Sequence, residues 1–233
     1  MELPALDLLY QDEFLIAIDK PAGLLVHRGE YTQDEPDSVL DRLNQQLGQH
    51  VYIVHRLDRA TAGVMILALQ REVAVTLNAA FANREIQKTY HTIVRGFTEA
   101  EGLIDRDLRK KPGKIMQPSQ TRFRTLRQVE LPIPVGRYET VRYSMLEVEP
   151  LTGRYHQIRR HLSFENHPIL GDRKHGDKYH NAMLDERFGR ALLMLQASEI
   201  ELKHPVSSEP LHIVSPLPDH MQAFCDFAGW NVS

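Results

Sequence analysis

The sequence predicts a mixed α/β (α+β) fold, read as a single domain over 1–233. Three observations carry this. Strand-like runs recur at 14–18, 51–54, 64–69 and 192–202, helical periodicity marks 71–87, and no internal repeat, low-complexity tract or linker interrupts the chain. The 233 residues, 42% apolar and 25% charged, allow a substantial core.

In chain order, 14–18 reads as a buried strand closed by the turn Lys20-Pro21-Ala22-Gly23. Extended chain is expected to resume over 24–27, followed by a surface loop over 30–37. Ser38 then caps a short helix through Gln46, with Val39, Leu40 and Leu43 on one side. Two apolar runs, 51–54 and 64–69, flank a polar segment as strand, loop, strand. In 71–87, Val73, Ala74, Leu77, Ala80 and Phe81 form one helical face. A strand is expected over 88–96. The basic stretch after Asp105, broken by Pro112, Gly113 and Pro118, reads as an irregular excursion or long hairpin. Residues 138–148 read as extended, Thr152-Gly153 as a turn, and 155–164 as a helix ended by Asn166-His167-Pro168. Strands over 192–202 and 211–214 precede a last helix, 219–228, capped by Asp219 and stopped at Gly229.

No apolar run approaches the roughly 18 residues a membrane span needs, and 1–9 lacks a signal-peptide pattern. Cys225 is the only cysteine, which excludes an internal disulfide and CxxC zinc sites and predicts a reducing, cytoplasmic setting. The net charge of −3 does not suggest a polyanion binder, but its distribution does. Eight basic residues (Arg106, Arg109, Lys110, Lys111, Lys114, Arg122, Arg124, Arg127) stand against Asp107 alone, whereas the chain beyond Glu199 is acidic.

The central segment, 54–63, sets one carboxylate, Asp58, between Arg56 and Arg59, with His55 nearby. A solvated turn is the ordinary fate of such an aspartate. The stretch 152–161, Thr-Gly-Arg-Tyr-His-Gln-Ile-Arg-Arg-His, offers three arginines and no acid. One of them beside Asp58 would hold it ionised and oriented, able to act as base, electrostatic stabiliser or nucleophile. Among twelve histidines, neither His156/His161 nor His175/His180 has zincin spacing, which argues against a catalytic metal. His55-Arg56-Leu57-Asp58 is not a kinase loop, because no Gly-rich phosphate loop or Asp-Phe-Gly accompanies it. No Gly-x-Ser-x-Gly elbow supports a serine hydrolase.

His55-Arg56-Leu57-Asp58 with Thr61-x-Gly63 resembles the signature of the RluA-type pseudouridine synthases. Lys20-Pro21-x-Gly23, Lys88-x-Tyr90 and Thr152-Gly153-Arg154-x-His156-Gln157-Ile158-Arg159-x-His161 match that family's other motifs in order. His167-Pro168-Ile169-Leu170-Gly171-Asp172 and His204-Pro205 extend the likeness over nearly the whole chain. The resemblance implies a pseudouridine synthase catalytic domain: a mixed, largely antiparallel sheet with flanking helices and a central RNA-binding cleft, without an N-terminal S4-type extension. It also implies isomerisation of uridine without cofactor or metal, with tRNA (at uridine-65) as the expected substrate and rRNA or another tRNA site as the rival. A non-catalytic RNA-binding module is the remaining alternative.

By the same resemblance Asp58 is the essential carboxylate, Tyr90 stacks on the target base, and Arg159 pairs with Asp58. Arg56 would fill the space of the extruded nucleotide, and His55, Leu195, Lys110, Lys111, Lys114 and Arg154 would contact substrate. Lys20 and Gly23 read as a structural turn. Tyr90, Arg159 and Leu195 each have a plain structural alternative, as strand aromatic, surface arginine and core leucine. Two departures stand out: Ala62 occupies a position where the family usually has Ser, and Tyr155 replaces a shorter or basic residue.

Overall fold

The computed structural model describes residues 3–29, 34, 37–110, 113 and 115–231. Its elements begin β1 (Asp7–Gln11), β2 (Leu15–Lys20), α1 (Val39–Leu47), β3 (Tyr52–Ile53), β4 (Ala62–Ala68), α2 (Arg71–Ala82) and β5 (Gln87–Arg95). Next come β6 (Glu101–Asp105), β7 (Leu108–Arg109), β8 (Met116–Gln117), β9 (Gln120–Leu131) and β10 (Val141–Pro150). The chain ends with α3 (Gln157–Phe164), α4 (Lys178–Phe188), β11 (Leu195–Lys203), β12 (Pro210–Val214) and α5 (Asp219–Phe227). These elements are mixed α+β, as the sequence predicts. They gather in two compact units, Met1–Lys88 with Ala197–Pro216, and Thr89–Gln196 with Leu217–Ser233.

In the first unit β1 pairs β2, β2 and β3 pair β4, and β12 pairs β11, all antiparallel. Every residue of β4 is buried, which is why its sequence is continuously apolar rather than alternating. Leu15, Ala17, Val64, Ile66 and Ala68 pack with Val73, Ala74 and Leu77 of α2 and with Ile200, Leu202 and Ile213. Each fully buried Val, Leu or Ile side chain there is worth about 1.5–3 kcal/mol. Helix α2 stops before the predicted Gln87. Arg84 takes a left-handed φ of 62°, and the Glu85 amide donates to the Ala80 carbonyl at 3.0 Å.

The expected extension over 24–27 does not form a strand. The carbonyls of Leu25 and Val26 instead accept the Val39 and Leu40 amides at 2.8 and 3.1 Å, satisfying donors that the start of α1 leaves unpaired. Ser38 caps that helix as predicted, accepting the Asp41 amide at 3.2 Å. The loop expected over 30–37 lies, apart from Asp34 and Asp37, outside the described residues.

In the second unit β10 lies between β5 and β9, and β6 pairs the far side of β9, again antiparallel. The hairpin β7–β8 forms within the basic stretch. Strand β9 was not legible there because its arginines read as loop. They face acids on the neighbouring strand: Arg122 pairs Glu149 at 2.7 Å and Arg124 pairs Glu147 at 3.0 Å. Two members of the basic run are thus matched by cross-strand acids that sequence distance had concealed.

Helix α3 begins at Gln157 rather than at 155. Helix α4 is new: Asp177 accepts the Tyr179 and His180 amides, and Gly189 ends it at φ 76°. Its buried side chains are His180, Asn181 and Leu184, so no apolar stripe announced it. Asp219 is the first residue of α5, the cap being Pro218. Gly229 closes that helix as predicted, with the Trp230 amide donating to Cys225 at 2.8 Å. Tyr143 is fully buried, edge-on to Phe224 at 5.3 Å and to His180 at 5.6 Å.

Gly63 has φ 105°, and a Cβ there would stand 2.1 Å from the Ala197 carbonyl oxygen. Gly63→Ala is therefore expected to destabilise the protein by roughly 2–4 kcal/mol, combining backbone strain with steric overlap. Urea unfolding of purified variant and parent checks this.

Candidate active site

The segment between β3 and β4 carries Asp58, half-buried, between exposed Arg56 and Arg59. Backbone and one buried cation hold it. The Thr61 amide closes a turn on the Asp58 carbonyl at 3.1 Å. The Gly23 amide donates to the Arg59 carbonyl at 2.8 Å, and Arg59 Nε returns a bond to the Gly23 carbonyl at 2.9 Å. Gly23 takes φ 91°, which suits a residue without Cβ. Lys20, wholly buried, donates its ammonium to the carbonyls of Pro21 at 2.8 Å, Leu24 at 2.9 Å and Arg59 at 3.2 Å. Burial pulls this ammonium down to about 7, while the nearby charge of Asp58 works the other way. The sequence reading of the Lys20–Gly23 turn as structural understated it, because the turn is sewn to the residue that follows the candidate catalytic carboxylate.

His55 accepts the Ile66 amide at Nε2, at 2.9 Å, and stacks on Phe81 with ring centroids 4.6 Å apart. Burial, with Lys88's charge adding, lowers it to about 3, so the ring is neutral at physiological pH. Its side chain anchors the 54–61 segment to β4 and α2. Lys88 is itself lowered by burial.

In the second unit Tyr90 is half-buried on β5, opposite Val148 of β10. Arg159 lies in α3 and is buried. Its Nε donates to Asp172 Oδ2 at 2.7 Å and its second terminal nitrogen to Oδ1 at 2.8 Å, a two-pronged pair. Burial alone would raise the Asp172 carboxyl, but the Arg159 bonds and the amides of His175 and Lys174 outweigh it and hold it below the carboxylate range. Gln157 fixes the start of α3, accepting from Thr152 Oγ1 at 2.6 Å and donating to the Gln120 carbonyl at 2.8 Å. Arg160 donates to the Arg109 carbonyl, and His161 bridges Thr121 Oγ1 and the Arg106 carbonyl. The helix thereby ties β9 to the basic hairpin.

Leu195 is buried at the start of β11, and the Arg154 side chain donates to the Pro118 carbonyl at 3.3 Å. Lys110 is exposed, its amide closing the β7–β8 hairpin on Ile115 at 2.8 Å; Lys111 and Lys114 lie outside the described residues. Asp172 and His175 were part of the sequence pattern but received no role. What singles them out is the company of Arg159, which sequence spacing cannot show. Among the described residues Glu199, Glu201 and His212 bring potential metal-ligating atoms within 4.8 Å of one another, on an exposed face where His212 Nε2 already meets Glu199 Oε2 at 2.8 Å. No helix of the described residues is long and apolar enough to cross a membrane.

Asp58 thus stands on a stitched loop of the first unit, and Tyr90 on a strand and Arg159 in a helix of the second. Residues 14–164 match the family model for RNA pseudouridylate synthase, and the chain belongs to that family, as the RluA-type resemblance implied. Its reaction is an isomerisation. The tRNA pseudouridine synthase C of Pectobacterium carotovorum subsp. carotovorum is 45% identical over 236 residues, covering 97% of this chain and 63% of that protein. The protein of that name from Vibrio cholerae serotype O1 is 43% identical over 238 residues, covering 98% of each. The fold is similar to human RNA Pseudouridylate Synthase Domain Containing 4, with a TM-score of 0.75 and 24% identity, over 97% of this chain and 94% of that one. Human RNA Pseudouridylate Synthase Domain Containing 1 gives a TM-score of 0.72 and 22% identity, over 93% and 86%.

Because His55 is lowered to about 3 in the folded protein, the unfolded chain binds its proton first. The stability that the neutral ring contributes is complete above the ordinary histidine pKa and is lost as pH falls from about 6.5 towards 3. His55→Gln, which keeps an acceptor for the Ile66 amide, is expected to flatten the acid side of the stability–pH curve. Urea unfolding at a series of pH values measures it.

Proposed function

We propose that the chain converts a uridine of tRNA, at uridine-65, into pseudouridine, with Asp58, Tyr90 and Arg159 as the acting residues. The reaction is balanced within the substrate: the N1–C1′ bond breaks, C5 bonds to C1′, C5 loses its proton and N1 gains one. No redox partner or cofactor is required. The observation that carries the reading is Asp58 on its stitched loop within a chain of this family. The likeness to the tRNA-modifying relatives supports tRNA as the substrate.

In this reading Asp58 is the carboxylate that opens the glycosidic bond. Tyr90 stacks on the flipped base, near the proton to be removed. Arg159 compensates the negative charge of Asp58, and Arg56 fills the gap left in the RNA. Extruding the nucleotide costs a few kcal/mol, which cationic contacts to phosphates offset. His55, Leu195 and Arg154 shape the surroundings, and Lys110, Lys111 and Lys114 supply cations for the RNA backbone. A tRNA substrate and a single, buried cysteine favour a cytoplasmic setting.

Asp58→Ala is expected to abolish pseudouridine formation while RNA binding stays within a few-fold of the parent. Mass-spectrometric pseudouridine mapping, with filter binding, reads both. Unchanged turnover would refute the assignment of Asp58, and modification confined to rRNA would refute tRNA as the substrate. Replacing Lys110, Lys111 and Lys114 by Ala is expected to weaken tRNA binding and to lower the slope of log affinity against log salt by roughly 2–3. An affinity and slope equal to the parent's would remove the hairpin from the RNA contact.

A further inference from the structure

His156 precedes α3 in a left-handed conformation, φ 50° and ψ 35°, a strained region for an L residue with a bulky side chain. Its side chain makes no cap bond to the helix. The ring is nevertheless engaged on several sides. Nε2 lies 3.1 Å from a terminal nitrogen of Arg159, and Nδ1 lies 2.9 Å from His175 Nε2. The Tyr155 ring stacks on it with centroids 3.8 Å apart. Lys174 reaches over Tyr155, and its ammonium meets the phenol oxygen at 3.2 Å.

These contacts fix the protons. A guanidinium only donates, so His156 Nε2 must be the acceptor and carry no proton. The proton of neutral His156 is then on Nδ1 and is donated to His175. His175 Nε2 must therefore be an acceptor as well, leaving its own proton on Nδ1. The reverse assignment would set two N–H groups against each other at one contact or the other. A proton added to either ring does the same.

We propose that His156 and His175 form a two-imidazole relay that positions Arg159, and that it works only while both rings are neutral. The inference rests on the role of Arg159 given above. It deepens that role by naming the residues through which pH would act. The groups facing the relay are Arg159 and Arg160 from α3, Tyr155 beside it, and Asp172 and Lys174 from the turn that carries His175. Burial lowers His175, against the opposing charge of Asp172 and with the help of Arg159, Lys174 and Arg160, which keeps the relay assembled at neutral pH. Asp172 fixes two nitrogens of the guanidinium and His156 approaches a third, so the planar group has little rotational freedom left.

The decisive measurement is the ¹⁵N chemical shift of the imidazoles in the protein alone. The relay requires the Nδ1–H tautomer at His156, opposite to the form that free histidine prefers. In kinetics on tRNA between about pH 5 and 8, His175→Gln, whose amide oxygen still accepts from His156, is expected to keep turnover near neutrality and to shift the acid limb downward. His175→Lys, a permanent cation, is expected to lower kcat on the order of tenfold, with KM little changed. An Nε2–H tautomer at His156, a His175→Gln acid limb identical to the parent's, or a His175→Lys enzyme with parental kcat would each overturn the proposal. Failure of Asp58→Ala to abolish activity would instead strike the catalytic reading, and the tautomer measurement would still decide the relay.

Discussion

A guanidinium buried as deeply as that of Arg159 cannot be left unpaired, since an isolated charge there would cost several kcal/mol. Its partner Asp172 is as deeply buried, and the surrounding backbone is shaped to deliver it. A Cβ on Gly171 would stand 1.8 Å from the Leu192 carbonyl oxygen, and one on Gly176 would stand 2.2 Å from that of Asp172. The turn carrying Asp172 is thus packed backbone against backbone and has little room to relax. Replacing such an ion pair by apolar groups often gains stability. Its presence here, with a strained histidine beside it, is better explained by the need for an oriented cation than by stability.

The other unit holds its candidate catalytic group by a different device. Three backbone carbonyls converge on Lys20, matching the three N–H bonds of an ammonium, and one of them belongs to the residue after Asp58. The Gly23–Arg59 bonds run beside it. A buried cation caged by carbonyls fixes the loop without covering the carboxylate. While protonated, it also sets a positive charge near Asp58 that needs no side-chain movement. His55, neutral and pinned between the Ile66 amide and the Phe81 ring, serves the same end from the other side of the loop.

What the sequence made legible follows the same physics. β2, β4 and α2 were readable because burial on defined faces writes itself as apolar runs or a helical stripe. β9 was not, because Arg122 and Arg124 answer acids that arrive on β10, more than twenty residues later. α4 escaped because its inward face is polar: His180 meets the Tyr143 hydroxyl at 2.9 Å, and Asn181 Oδ1 accepts the Gly171 amide at 2.9 Å. The candidate residues themselves were visible as motifs, but their supports were not. Lys20 looked like turn chemistry and Asp172 received no role, since three-dimensional partnership has no local signature.

The pairing on β9 bears on how such a protein meets RNA. Its net charge is −3, and the run richest in arginine is held against glutamates. Those pairs are exposed, and each is worth at most about 1 kcal/mol. They weaken the field that β9 presents at a distance, where nonspecific polyanions are attracted. A phosphate brought close can still displace a glutamate at small cost. A protein built this way gains less from bulk charge and depends more on fitting its RNA closely.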